Sequence, residues 1–204
     1  MKKRTAVLKR KTKETDITVK LNIDGTGRTK INTGIGFLDH MLELFAFHGL
    51  FDLDITAKGD LQIDIHHTNE DIGLVLGMAF TKALGDKKGI RRFGCFSVPM
   101  EDVSANVVLD ISGRGAFKFK NTGKEIGQPV SESQDGYELK DAQHFFEAFA
   151  KQAGMNLHIN INTVVSDLHT VLEPGFKSLG IALDYATQID PRRIGIPSTK
   201  GVID

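Results

Sequence analysis

The sequence has 204 residues, 40% of them hydrophobic, which is enough to bury a core in one large domain or two small ones. Its 26 basic and 26 acidic residues balance, so composition gives no bulk attraction to nucleic acid or to a membrane surface, and we expect neither partner. The single cysteine, Cys95, cannot form an internal disulfide, which fits the reducing cytoplasm. We expect no signal peptide and no membrane span, because no apolar run is long enough.

The first half of the chain alternates between strand and helix patterns. Residues 15–24, TDITVKLNID, predict a strand, and the polar connection GTGRTKINTG contains a further short strand. Helical spacing of apolar residues before a glycine predicts an amphipathic helix in FLDHMLELFAFHG. The segment LFDLDITAKGDLQIDI then predicts two strands around a KGD turn, and HTNEDIGLVLGMAFTKALG predicts a helix with Glu70 and Asp71 in its first turn.

The second half repeats this order. VSANVVLDISG and GAFKFK predict strands, KDAQHFFEAFAKQAG a helix, and MNLHININTVVSD another strand. TVLEPGFKSLGIALDYATQ predicts a helix whose early turns are disturbed by Pro174 and Gly175. We interpret residues 121–139 as an excursion loop and residues 190–204 as a tail. The sequence therefore predicts an α+β fold of two duplicated βαβα half-repeats, residues 1–95 and 96–204, which form one compact unit around a shared helical layer.

Histidines and glutamates occur in two copies of one pattern, about a hundred residues apart. In each copy a lone histidine is followed, some twenty-five residues later, by a histidine with a glutamate four positions beyond it. Such an i, i+4 pair presents both side chains on one helix face, and imidazole and carboxylate are usual ligands for Mn, Fe or Zn. The duplication predicts two metal ions related by a pseudo-twofold axis. The candidate ligands are His40, His66, His67, Glu70, His144, His169 and Glu173.

The repeat also predicts how these ligands divide between the two ions. One site would combine His66, Glu70, His144 and the residue at position 170. The other would combine His40, His67, His169 and Glu173. Taken singly, each histidine is more often a satisfied core or surface side chain, so the metal interpretation rests on the repetition. His48 fits a supporting position or a helix C-terminal cap equally well, and His158 fits a structural position in a strand.

Cations and hydroxyls recur in short, glycine-bounded segments. They are Arg91 and Arg92 in GIRRFG, Arg114 in ISGRG, Lys177 in GFKSLG, and Ser198, Thr199 and Lys200 in PSTKG. A phosphate needs several such donors, although a solvated charged surface is the usual role of a single arginine or lysine. PSTKG suits an anion clamp but lacks the spacing of a nucleotide P-loop. From the sequence alone, Glu14, Glu101 and Asp102 are proton carriers or surface carboxylates.

At these residues the chain closely resembles the imidazoleglycerol-phosphate dehydratase family. The resemblance runs essentially end to end and includes TGIGFLDHMLELFAFHGLFDL, GDLQIDIHHTNEDIGLVLG, QHFFEAFAKQAGMNLHI and PSTKGV. It implies half-domains of the ribosomal-protein-S5-domain-2-like type. It further implies a lyase of histidine biosynthesis that dehydrates imidazole glycerol phosphate to imidazole acetol phosphate. Two Mn²⁺ ions per active site, a bridging substrate imidazolate and an octahedral 24-subunit homo-oligomer with active sites between protomers complete what the resemblance implies.

The resemblance also implies roles for individual residues. The seven candidate ligands would hold the metal, and the substrate and phosphate contacts would be Arg92, Arg114, Lys177, Ser198 and Lys200. The catalytic residues would be Glu14, Glu173 and Lys177, with Glu14 reaching into a neighbouring subunit's site.

Several positions depart from the family pattern, among them Leu44 in place of a frequent glutamine and the reversed order of Glu101 and Asp102. Thr170 stands where a second histidine is usual, Pro174 follows Glu173, and Ile65 replaces a common acidic residue. These departures leave an alternative open, namely a catalytically impaired paralogue that binds metal or imidazole phosphates within the same assembly. A purely structural cage is a third class.

Overall fold

The computed structural model describes residues 3–122, 133–163 and 167–203. The predicted duplicated α+β architecture is confirmed, with the order β-β-β-α-β-α in each half. The first half contains β1 (Thr5–Lys11), β2 (Thr15–Asn22), β3 (Thr29–Asn32), α1 (Gly36–His48), β4 (Asp52–Gly59) and α2 (Ile65–Leu84). The second contains β5 (Phe93–Met100), β6 (Val103–Asp110), β7 (Ala116–Asn121), the short strands β8 (Ser133–Gln134) and β9 (Tyr137–Glu138), α3 (Leu139–Ala153), β10 (Asn156–Thr163) and α4 (Leu168–Thr187).

The two main sheets have the same topology. Their strand orders are β1-β2-β4-β3 and β5-β6-β10-β7. In each sheet the last pair is parallel and the others are antiparallel. A parallel pair needs a crossover connection, and α1 and α3 supply it. These two helices are therefore equivalent, as are α2 and α4.

The helices form one layer between the sheets. The inner faces of β2 and β6 are buried and, apart from Thr15, apolar, whereas their outer faces are polar apart from Val108. Within the layer α2 packs against α3, and α1 packs against α4. Phe45, Phe80 and Phe149, from three different helices, meet at its centre with ring centroids 5.6–6.2 Å apart. The layer is thus the common core of both halves. None of the described helices is long and apolar enough to cross a membrane.

Two equivalent glycines set the separation of the packed helices. A Cβ on Gly77 of α2 would lie 2.5 Å from the carbonyl oxygen of Phe149, and a Cβ on Gly180 of α4 would lie 2.3 Å from that of Phe45. Neither position has room for a side chain. The close approach brings the chemistry-bearing residues of each helix pair within reach of one another.

The predicted strand over residues 61–65 is wrong. The N–H of Ile63 donates to the Asp60 carbonyl in a turn, and the Ile63 side chain is 70% exposed. Asp64 accepts from the N–H of His66 and caps α2, so the helix begins at Ile65 and includes both histidines. Glu70 therefore lies in the second turn and not in the first. A capping aspartate outweighs the short apolar alternation.

In the second half, three features of the structure bear on the predicted elements and boundaries. Helix α4 is continuous through Pro174 and Gly175, so the predicted disturbance does not break it; Pro174 removes only the hydrogen bond that an N–H there would give to the Thr170 carbonyl. The strand β5 spans the boundary predicted between residues 95 and 96. The predicted loop 121–139 ends in the β8–β9 hairpin, and its residues 123–132 lie outside the described residues.

Candidate metal centre

The α2/α3 group consists of His66, Glu70 and His144. Nε2 of His66 lies 3.1 Å from Oε2 of Glu70, one helical turn further along α2. Nδ1 of the same imidazole lies 3.0 Å from Nδ1 of His144 on α3. Asp64 caps α2 and so fixes the position of His66 in its first turn. The close contact between α2 and α3 at Gly77 holds the two helices near each other, which places His144 next to His66.

The α1/α4 group consists of His40, His169 and Glu173. Oε2 of Glu173 lies 2.7 Å from Nε2 of His169 and 3.6 Å from Nε2 of His40. One donor atom from each of the three lies within 4.8 Å of the others, so a single cation can contact all of them. Two imidazoles and a carboxylate suit Mn²⁺, Fe²⁺ or Zn²⁺, and the residues present therefore fit the expected metal.

The two groups obey the pseudo-twofold relation that the sequence predicts. Each takes one histidine from a crossover helix, α1 or α3, and a histidine–glutamate pair from the final helix of a half, α2 or α4. The structure thus brings six of the seven candidate ligands into two sets of three, whereas each predicted set had a fourth member, residue 170 in one and His67 in the other. Their role as metal ligands stays a prediction.

The remaining candidate, His67, joins neither set within the protomer. Its Nδ1 lies 3.2 Å from Oδ2 of Asp60, and this carboxylate raises the pKa of His67. Glu14 lies on the same side of the molecule, in a groove that Asp60 also lines, and its carbonyl accepts from the N–H of Asp60. Asp60 is not among the site residues predicted from the sequence. It directly follows β4 and precedes His67 by seven residues, and a carboxylate that supports a histidine ligand is a usual feature of metal sites.

Thr170, which the repeat predicts as a member of the α2/α3 group, joins neither group within the protomer. Its hydroxyl donates to Oδ2 of Asp167 at 2.9 Å, and its N–H donates to Oδ1 of the same carboxylate at 2.9 Å. Thr170 therefore belongs to the N-terminal cap of α4.

A lysine makes the two groups unequal. Nζ of Lys177 forms an ion pair with Oε1 of Glu173, whereas the equivalent position on α2 is Leu74. Burial alone would raise the pKa of Glu173, but Lys177 and His169 outweigh it and hold that pKa below its usual value. Burial, with the Lys177 ammonium second, lowers the pKa of His48 at the end of α1. His48 stands in the last turn of α1, so its supporting role and its helix C-terminal role both stay predictions.

The predicted phosphate contacts lie on separate surfaces. Arg92 makes a bidentate contact with Asp110, at 2.6 and 3.0 Å, and donates to the carbonyl of Pro197 at 2.9 Å. With Ser198 it lines a groove whose other cations are Arg91 and Arg193. The side chain of Lys177 lies in the α1/α4 group. Arg114 and Lys200 are exposed on loops, and Glu101 and Asp102 are exposed in the β5–β6 turn.

The fold and these two groups define a class of protein, a duplicated α+β protein with paired histidine–carboxylate donor sets at its helix contacts. The sequence profile of the family described as Imidazoleglycerol-phosphate dehydratase matches residues 33–183. The chain belongs to this family, and it is accordingly an enzyme of the hydro-lyase class, in a family of histidine biosynthesis.

Similar proteins cover almost the whole chain. The imidazoleglycerol-phosphate dehydratase of Pelobacter propionicus is 51% identical over 200 residues, which span 98% of this chain and 99% of the relative. That of Caldanaerobacter subterraneus subsp. tengcongensis is 52% identical over 200 residues, spanning 98% and 100%. The crystal structure of the Pyrococcus furiosus enzyme has a TM-score of 0.78 and 34% identity, covering 96% of this chain and 99% of that one. For the Staphylococcus aureus enzyme the values are 0.77, 32%, 91% and 99%.

Proposed function

We propose that this chain dehydrates imidazole glycerol phosphate to imidazole acetol phosphate in the cytoplasm, at a centre where the α2/α3 and α1/α4 groups each hold one Mn²⁺ ion. The observation that carries the proposal is the assembly of two pseudo-symmetric histidine–glutamate groups from motifs about a hundred residues apart; in the α1/α4 group one donor atom from each residue lies within 4.8 Å of the others. The names of the similar proteins supply the substrate. Its imidazole ring has two nitrogens and so offers one donor to each group.

The reaction removes a proton from carbon and a hydroxyl from its neighbour. The product carries its carbonyl on the middle carbon, so the hydroxyl leaves the carbon bonded to the imidazole ring and the proton leaves the middle carbon. The ring supplies the electron density that expels the hydroxyl and must therefore carry negative charge, water is released, and the enol that forms tautomerises to the ketone. When bound, the Mn²⁺ ions supply Lewis-acid stabilisation of that charge. Glu173 faces the histidines through Oε2 and Lys177 through Oε1, so it would hold the metal and orient the site. Glu14, an exposed carboxylate in the groove beside His67, is the carboxylate free to carry the proton.

We propose that the phosphate contacts Arg92, Arg114, Lys177, Ser198 and Lys200. Arg92 and Ser198 share a groove, whereas Lys177 lies in the α1/α4 group and Glu14 lies beside His67. We propose that a homo-oligomer, with the 24 subunits that the family resemblance implies, juxtaposes these surfaces and completes each active site from more than one protomer. Held at both ends, the substrate presents its reacting carbons in one fixed orientation.

The test is dehydration of imidazole glycerol phosphate by metal-stripped protein as Mn²⁺ is added back. We expect turnover that saturates with Mn²⁺. His66→Ala should lower the rate by roughly 100-fold or more, since loss of an outer-shell partner alone costs about 10- to 100-fold. The matched control is His158→Ala, because His158 lies exposed on the outer face of β10 and should not affect the rate.

Absence of turnover at every Mn²⁺ concentration, in protein shown to be folded and assembled, would contradict the dehydratase proposal. It would favour the impaired paralogue, which the engagement of Thr170 in the α4 cap supports. Mn²⁺ binding without turnover would then be its signature.

A further inference from the structure

The ion pair between Lys177 and Glu173 lies inside a candidate metal group. Oε1 of Glu173 faces the ammonium, and Oε2 faces His40 and His169. In the equivalent group Glu70 contacts His66, and Leu74 stands at the position of the lysine. The two groups therefore differ by one positive charge at this position, which the pseudo-twofold relation does not repeat.

The Lys177 ammonium and the Glu173 carboxylate are both shielded from water, which strengthens the electrostatic effect of the ammonium. The side chain of Glu173 is 11% exposed and that of Lys177 is 20% exposed, whereas that of Glu70 is 50% exposed. A divalent cation on Oε2 would share a single shielded carboxylate with the ammonium. Like charges this close repel more strongly where water is sparse. Lysine carries its charge on a flexible four-carbon chain, so its Nζ can leave without disturbing α4.

We propose that Lys177 is the exchangeable counter-ion of Glu173: it leaves Oε1 when a divalent cation occupies the α1/α4 group, and its freed ammonium then binds a phosphate group. Cation and phosphate consequently strengthen each other's binding at this group. Within the described residues no lysine pairs with Glu70, because Leu74 stands at the equivalent position, and we expect no such coupling at the α2/α3 group. This inference rests on the proposed function for its ligands and adds to it a link between metal and phosphate binding. The linkage is reciprocal because both ligands act on one ion pair.

The experiment measures Mn²⁺ binding to metal-stripped protein by calorimetry, with and without inorganic phosphate and without substrate. The His66→Ala background isolates the α1/α4 group, and the His169→Ala background isolates the α2/α3 group. We expect phosphate to tighten Mn²⁺ binding about fivefold or more in the first background and to leave it unchanged in the second. The second background also corrects for Mn²⁺–phosphate complexes in solution.

Variants of Lys177 then test the lysine itself in the His66→Ala background. Lys177→Gln removes the charge and keeps a polar donor, so Mn²⁺ should bind tighter without phosphate and the phosphate effect should vanish. Lys177→Arg keeps the charge and should keep the effect. The reciprocal variant Leu74→Lys, in the His169→Ala background, should weaken Mn²⁺ binding and make it sensitive to phosphate.

Equal phosphate effects in the lysine and glutamine proteins would overturn the proposal. So would weaker Mn²⁺ binding in Lys177→Gln, since that would make Lys177 a fixed support that orients Glu173. Turnover is measured separately. If phosphate tightens Mn²⁺ binding but the protein shows no turnover, only the dehydratase proposal is contradicted. If the protein turns over substrate but phosphate does not affect Mn²⁺ binding, only the present inference is contradicted.

Discussion

Thr170 and Asp167 are joined by two hydrogen bonds of 2.9 Å, one from the threonine hydroxyl and one from its N–H. Both His67 and Thr170 follow a capping aspartate by three residues, Asp64 on α2 and Asp167 on α4. The two helices therefore start alike and differ in the side chain at this position. Because the Thr170 hydroxyl is used in the cap, α4 lacks the second donor that α2 carries.

Thr170→His should restore that donor. We expect Mn²⁺ affinity to rise by about tenfold, at the lower end of what a metal-supporting residue contributes. The change removes one hydrogen bond from the helix cap, at a cost of about 1 kcal/mol in unfolding free energy. The control Thr170→Ser keeps the hydroxyl and should change neither quantity. If the histidine variant folds and its Mn²⁺ affinity and turnover match the original protein, position 170 is not the deficient ligand position.

Much of the fold could be predicted, because the local periodicity of apolar residues indicates most of its strands and helices. The inner residues of β2 and β6 alternate strictly, and α3 presents a strongly apolar face, so these elements are legible without tertiary information. The two ligand sets were likewise predictable, since a histidine and a glutamate four residues apart must share a helix face.

The rest depends on contacts that local patterns do not encode. In β1 only Ala6 is buried, and in β5 only Gly94, so both edge strands lack a clear alternation. The pairing of Arg92 with Asp110 joins the residue before β5 to the last residue of β6. The i, i+4 spacing of Glu173 and Lys177 places both on one helix face but does not decide which rotamer the lysine adopts in the folded layer. Neither the motif nor its spacing decides these contacts.

The hairpin before α3 is anchored by a buried hydrogen-bond pair. The hydroxyl of Tyr137 donates to Oδ1 of Asn69 at 2.9 Å, and Nδ2 of Asn69 donates to the carbonyl of Asp141 at 2.7 Å. Tyr137→Phe leaves the Asn69 oxygen buried without a donor and should cost about 1–3 kcal/mol of unfolding free energy. Urea unfolding of the two single variants and of Tyr137→Phe/Asn69→Leu measures the coupling. We expect the double variant to lose at least 0.5 kcal/mol less than the sum, in the range of about 0.5–3 kcal/mol usual for contacting residues. Strict additivity would contradict the pairing.

Asp52 should make stability depend on acid pH. Its carboxylate accepts from the side chain of Arg28 at 3.0 Å and from the N–H of Thr26 at 2.9 Å, and these donors hold its pKa well below the usual range. A carboxyl whose pKa is lower in the folded state stabilises that state above its unfolded pKa of about 4, and this contribution is lost as the pH falls through the folded value.

Asp52→Asn should therefore destabilise the protein at pH 7 by about 1–2 kcal/mol. The difference in Tm from the original protein should shrink as the pH is lowered below about 4. Asp54→Asn is the control on the same strand, because its pairing with Lys20 is an exposed contact of small energetic value. A Tm difference that stays constant with pH would show that the Asp52 carboxylate contributes by shape and not by charge.

The separation of the helix pairs should control the two groups independently. Gly180→Ala places a Cβ 2.3 Å from the carbonyl oxygen of Phe45, and Gly77→Ala places one 2.5 Å from that of Phe149. Each must push its helix pair apart, at about 1–3 kcal/mol of unfolding free energy. Because each pair carries one donor set, Gly180→Ala should weaken Mn²⁺ binding at the α1/α4 group, and Gly77→Ala at the α2/α3 group.

The same chain provides a control for adding a methyl group to a helix. At Gly175 a Cβ would meet only the Ile161 side chain, at an ordinary 3.6 Å, so Gly175→Ala should leave Mn²⁺ binding unchanged and stabilise α4 by about 0.4–1 kcal/mol. Calorimetric Mn²⁺ titrations in the His66→Ala and His169→Ala backgrounds, with thermal unfolding, separate the effects. If either close-contact variant weakened both groups equally, the helix layer would respond as one rigid unit, and the independence of the two pairs would be disproved.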